Sequence, residues 1–88
     1  MKLTYRTGST DLTIPSDCDI YEWTGGEQNI KLPDNLSVGS LLFVCNTGIK
    51  TLTVNHPHLL GLPVMISSKK SASFIAIGGG NWIVASAT

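Results

Sequence analysis

Charge is what this sequence has least of. Six Lys and Arg cancel six Asp and Glu, and together they make up only 14% of the 88 residues. No basic patch is present to neutralise phosphates, so a nucleic-acid partner is not expected. Few charges and zero net charge make a poor surface for a free monomer. They suit a chain partly covered by copies of itself or by a larger assembly. Cysteine is also scarce, with only Cys18 and Cys45. Cys45 sits in an apolar run, where a reduced thiol behaves as a small hydrophobe, and free thiols are the expected state. The first eleven residues lack the apolar centre of an export signal. No run approaches membrane-spanning length, so membrane insertion is not expected. Helix signals are missing too. Residues 64–77 come nearest, but their Ser/Lys middle breaks any 3.6-residue apolar stripe. No local nucleophile or acid–base motif is present, so neither an enzyme nor a cofactor is expected.

What the sequence does have is strand chemistry. Val, Ile and Thr account for 22 residues, and these side chains favour a pleated surface. Gly- and Asn-bearing turn signals recur at short intervals, at residues 7–9, 24–26, 38–39, 46–48 and 78–81. That spacing predicts one all-β domain over residues 1–88, a small antiparallel β-sandwich or jelly-roll-like barrel. Residues 2–6 alternate as a half-exposed first strand. Residues 20–24 set Tyr21 and Trp23 opposite Ile20 and Glu22. Gly25-Gly26 reads as a hairpin turn into residues 28–32, where Ile30 and Leu32 share a face. Residues 50–55 alternate cleanly, with Leu52 and Val54 inward.

Two segments do not alternate. Residues 41–45 and the hairpin over residues 74–84 are apolar at neighbouring positions, the pattern of strands covered on both faces. A 9.4 kDa chain hides only about 63% of its surface alone, so a second covered face fits an oligomer. Leu41, Phe43, Cys45, Phe74, Ile75, Ile77, Trp82 and Val84 are therefore the expected oligomer-interface or core residues, with the chain packed or intertwined as a homotrimer.

The order Leu32-Pro33-Asp34, Val38-Gly39, Leu42-Phe43-Val44-Cys45-Asn46, Gly48, Thr51-Leu52-Thr53-Val54, Ser73-Phe74-Ile75-Ala76 and Gly79-Gly80-Asn81-Trp82-Ile83-Val84 resembles small β domains of bacteriophage tail fibres, tail-needle tips and related virion appendages. The resemblance covers residues 30–86. It implies a homotrimeric structural protein of the virion, whose partners are itself, other virion proteins and a host-surface glycan or receptor. The His-rich loop over residues 56–62 is more apolar than that pattern, and the N-terminal strands have no counterpart in it.

Three local features bear on chemistry. Tyr21 and Trp23 are the candidate glycan-binding aromatics, Trp23 standing beside Gly25-Gly26 at an expected hairpin tip. They support the alternative function, a monomeric carbohydrate-binding module, against the plainer reading of core packing. His56-Pro57-His58 places two imidazoles on one face of an extended backbone, the geometry for a metal pair. No third ligand stands nearby in sequence, so no metal is expected. Gly78-Gly79-Gly80 precedes a strand rather than a helix, which removes a phosphate cradle.

Overall fold

The computed structural model describes residues 2–34 and 36–87. Eight strands form two sheets: β1 (Tyr5–Gly8), β2 (Ile20–Trp23), β3 (Gln28–Lys31), β4 (Leu41–Asn46), β5 (Leu52–Asn55), β6 (Val64–Ile66), β7 (Lys70–Ala76) and β8 (Trp82–Ala87). The five-stranded sheet runs β1-β2-β4-β7-β8, and the three-stranded sheet runs β3-β5-β6. The all-β expectation is met, but the strands are not all antiparallel. β1, β2 and β4 pair in parallel, as do β3 and β5, while β6 runs antiparallel to β5, β7 to β4 and β8 to β7.

The cause lies at the corners. After β2 the chain does not fold back on itself as a hairpin; it crosses to the other sheet and becomes β3. After β4 it crosses again and becomes β5. Each crossing returns the next strand in the same direction, so successive turns of chain stack as rungs. The corners after β1, β2 and β4 lie on one another. Thr24 N–H donates to the Gly8 carbonyl at 2.9 Å, and Thr47 and Gly48 N–H both donate to the Trp23 carbonyl, at 2.9 and 3.1 Å. A Cβ at Gly25 would strike the Ser9 carbonyl oxygen, and a Cβ at Gly48 would strike that of Gly25. These glycines serve close backbone approach rather than a hairpin turn.

The core lies between the sheets. Leu42, Val44, Ala72, Phe74 and Trp82 descend from the five-stranded sheet onto Ile30, Leu52, Val54 and Ile66 of the smaller one. It is complete within one chain, which exposes 5206 Å² against about 5,000 Å² expected for a folded monomer of this mass. Asn46, at the end of β4, joins the layers. Its Nδ2 donates to the carbonyls of Lys50 (2.6 Å) and Ile66 (2.8 Å), and its Oδ1 accepts from Gly48 N–H at 3.0 Å.

The β7–β8 hairpin over residues 74–84 forms as expected, with Ile75 opposite Ile83 and Ala76 opposite Trp82. Gly79 and Gly80 take φ of 79° and 76° in its turn, a region that only glycine enters without strain.

Candidate interaction face and the histidine loop

Period-two alternation gives each sheet an inner and an outer face, and the two outer faces differ in chemistry. On the three-stranded sheet the outer positions are Asn29, Lys31, Thr53, Asn55 and Met65, with Thr13 bridged to Lys31. On the five-stranded sheet they are largely apolar. One row across the sheet reads Tyr5, Ile20, Phe43, Ser73, Ser86, and another reads Leu41, Ile75, Ile83. Tyr5 is 53% exposed, and Phe43 and Leu41 are each 40% exposed. Ile20, Cys45, Ile75 and Ile83 are half-buried.

The outer-face carboxylate of this sheet, Glu22, is held by its neighbours. Thr47 Oγ1 donates to its Oε2 at 2.6 Å, and the Tyr5 hydroxyl donates to its Oε1. The Thr47 and Tyr5 hydrogen bonds keep the Glu22 carboxyl below its ordinary range, and the same carboxylate raises the Tyr5 hydroxyl. Burial, and then Glu22, push the Cys45 thiol up, so it is a poor nucleophile at neutral pH. Cys18 and Cys45 are both free thiols.

The structure splits the residues expected at an interface or in the core. Phe74 and Trp82 are buried in the core, and Val84 packs against it. Leu41, Phe43, Cys45 and Ile75 project from the outer face, and Ile77 is half-buried beside the glycine turn. Sequence reasoning missed Tyr5, Ile20 and Ile83 on that face. The signal was available in the alternation of residues 2–6, but only the sheet order brings β1 beside β2 and β4.

Tyr21 and Trp23 require a correction. Both are buried, 0% and 1% exposed. The rung geometry turns them inward. The Trp23 indole N–H donates to the Gly26 carbonyl at 2.8 Å, and the Tyr21 hydroxyl donates to Asp11 Oδ2 at 2.9 Å. Burial, and then Asp11, raise the Tyr21 phenol far above its ordinary value. Neither ring offers a face to a sugar.

His56 is likewise structural. Its ring is buried, Nε2 lies 2.6 Å from Asp34 Oδ1, and Nδ1 lies 3.0 Å from the His58 backbone N–H. A backbone N–H can only donate, so Nδ1 accepts and the proton sits on Nε2, aimed at the carboxylate. This hydrogen bond holds the Asp34 carboxyl below its usual range. With both nitrogens engaged, His56 and His58 do not form a metal pair. Among the described residues no group of three or more His, Cys, Asp and Glu is placed to hold an ion. The loop instead caps the hairpin: Trp82 N–H donates to the His58 carbonyl at 3.0 Å and Leu60 N–H to the Trp82 carbonyl at 2.9 Å. Among the described residues no helix is long and apolar enough to cross a membrane.

No protein-family model matches the chain, and no curated protein matches it. Solved structures that share the fold include the following two. A chain from the structure of a chaperone–substrate complex superposes with a TM-score of 0.76 at 11% identity over 100% of this chain, which spans 18% of that chain's length. The crystal structure of residues 132–251 of StcE from enterohemorrhagic E. coli superposes with a TM-score of 0.61 at 16% identity, over 93% of this chain and 89% of that one. At these identities the likeness is one of fold alone.

Proposed function

We propose that this chain is a non-enzymatic structural domain of a virion appendage, such as a tail fibre, tail-needle tip or decoration protein, that works by packing as a homotrimer through the outer face of its five-stranded sheet. The observation that carries the reading is the contrast between the two outer faces: the smaller sheet turns amides, hydroxyls and a lysine outward, with Met65 its one apolar side chain there, while the larger turns Tyr5, Leu41 and Phe43 outward. The polar face and the loops are left for host receptor or other virion proteins.

The dimensions suit three copies. Five strands about 4.8 Å apart make a sheet about 24 Å wide. Three such sheets closed into a triangle lie about 7 Å from the common axis, the reach of a Phe or Leu side chain. Such a side chain comes from β4, the middle strand. The face covers about 400 Å² per copy. If half of it is apolar, burial contributes about 5 kcal/mol per copy. That is comparable to the cost of associating each copy, about 4 kcal/mol or more, so assembly is concentration-dependent rather than permanent.

Sedimentation equilibrium up to about 100 μM tests this. The expected result is a species of about three times the 9.4 kDa chain mass, reduced to a monomer by Phe43→Lys with the circular dichroism unchanged. A wild-type monomer throughout that range refutes the proposal. The carbohydrate-module alternative has no residues left to support it, since both of its aromatics are interior.

A further inference from the structure

Lysines that lie apart in sequence meet at one corner of the fold. The β6–β7 turn over residues 67–70 lies on the corner that follows β4. Ser68 Oγ donates to the Gly48 carbonyl at 2.6 Å, and Lys69 N–H donates to the Asn46 carbonyl at 2.7 Å. Asn46 is also paired with Lys70, and its side chain donates to the Lys50 carbonyl. Lys50, Lys69 and Lys70 are half of the chain's six Lys and Arg, and one buried asparagine fixes the backbone of all three. Their side chains are exposed. Among the described residues the ion pairs join Arg6 to Asp17 and His56 to Asp34, and include none of these lysines. Two further observations single this corner out. Lys69 has φ of 65° and is the one non-glycine with positive φ among the described residues. Lys70 N–H donates to the Ser67 carbonyl at 3.0 Å, which puts Lys69 at the third position of a β-turn, where positive φ favours Gly or Asn. The turn itself does not call for a lysine. Between Gly48 and Lys50, Ile49 is 85% exposed, an apolar side chain beside the cationic group.

We propose that this corner docks on an anionic lipid surface: Lys50, Lys69 and Lys70 meet headgroup phosphates, and Ile49 enters the interfacial layer. Charge complementarity names the sign of the partner, and Ile49 names its kind. An exposed isoleucine gains nothing from a small anion in water, whereas at a bilayer surface apolar burial and charge attraction add together. The group is far smaller than the basic stripe a nucleic acid needs. The carboxylates of the same wall, Asp11 and Glu27, follow β1 and β2 and so belong to the lower corners. Asp11 already accepts the Tyr21 hydroxyl. The wall is therefore graded, with its cations at the end formed by β4 and β7. The contact is made by a single chain and does not depend on self-association.

Cosedimentation with lipid vesicles tests this. Mixed phosphatidylglycerol and phosphatidylcholine vesicles at low salt should carry the wild-type chain down, phosphatidylcholine alone should not, and added salt should release the chain. Lys50→Gln, Lys69→Gly and Lys70→Gln should each weaken binding about fivefold. Lys31→Gln makes the same charge change on the outer face of the smaller sheet and should leave binding unchanged. Lys69→Gly gives a second readout, because relief of the positive φ should raise the thermal midpoint while vesicle affinity falls. Ile49→Ser should also weaken binding to the mixed vesicles. No binding of the wild type to anionic vesicles, equal binding to neutral ones, or a loss for Lys31→Gln as large as that for Lys69→Gly overturns the proposal. Unchanged binding of Ile49→Ser overturns the lipid surface as the partner. A chain that stays monomeric yet binds anionic vesicles refutes the trimer and supports this contact.

Discussion

Asn46 is the sharpest place to break this structure. Its side chain is fully buried and makes three hydrogen bonds to main-chain groups, two as donor and one as acceptor. Asn46→Leu keeps roughly the volume and removes all three. A buried main-chain group left without a partner costs about 1–3 kcal/mol. The Ile66 carbonyl bears this in full, whereas the Gly48 N–H keeps its bond to the Trp23 carbonyl and the Lys50 carbonyl sits in an exposed turn and turns to water. The expected loss is therefore about 1–3 kcal/mol. An 88-residue domain has about 4–13 kcal/mol of stability in total. Urea unfolding should show the midpoint falling at unchanged m-value.

Asn46→Asp sharpens the test through pH. A carboxylate at this site faces the Lys50 and Ile66 carbonyls with no proton to offer, so the folded state raises the pKa of the new carboxyl. A raised folded pKa means that the group's contribution is fully present below its unfolded value, about 3.9, and is lost as pH rises through the folded value. The variant should therefore lose stability relative to wild type between about pH 4 and neutrality. An Asn46→Asp variant as stable as wild type at pH 7, or one whose deficit shrinks as pH rises, would refute the assignment of Asn46 as the donor that ties β4 to β6.

Four further outcomes follow from the same geometry. Gly25→Ala and Gly48→Ala should each lower stability by about 1–3 kcal/mol, because the added methyl meets a neighbouring corner's carbonyl oxygen; Gly26→Ala, with open space at its Cβ, should be near neutral in the same thermal melt. Both tryptophans should emit at short wavelength and resist acrylamide quenching in the native protein, and Trp23→Ala should cost about 3–5 kcal/mol; a readily quenched Trp23 in a Trp82→Phe background would contradict its burial. Glu22 and Asp34 have lowered folded pKa values, so their contribution is present above their unfolded values and is lost as pH falls below about 4. Glu22→Gln and Asp34→Asn should each flatten the acid limb of the stability–pH curve.

Much of the strand pattern was legible because inward residues declare themselves by alternation. Leu52 and Val54, Ile30 and Leu32, and the register of the β7–β8 hairpin all follow from period two. Direction did not follow, because alternation is identical in parallel and antiparallel strands. Gly25-Gly26 carries the composition of a hairpin turn, yet the pair stands at a corner where stacked rungs need close approach. With β2 and β3 read as a hairpin, Trp23 fell at a tip; with β2 stacked on β4, it falls inside. Alternation put Tyr21 and Trp23 on one face and Ile20 on the other, and both faces carry apolar side chains. Burial went to the two larger rings, whose polar atoms reach Asp11 and the Gly26 carbonyl. The Asp34–His56 bond joins residues 22 apart, and nothing local marks it.

The same parallel stacking produces the feature on which the proposed function rests. A rung that crosses between sheets puts its alternating side chains into one shared core, which leaves one outer face on each sheet to be specified independently. On β3 and β5 that freedom was used for water-facing residues. On β2 and β4 it was not: Ile20, Phe43 and Leu41 remain outward although serine or threonine would fit the same backbone, as Ser73 and Ser86 do in the same row. Exposed bulk of this kind on a five-stranded sheet is costly to a monomer, since it favours indiscriminate association.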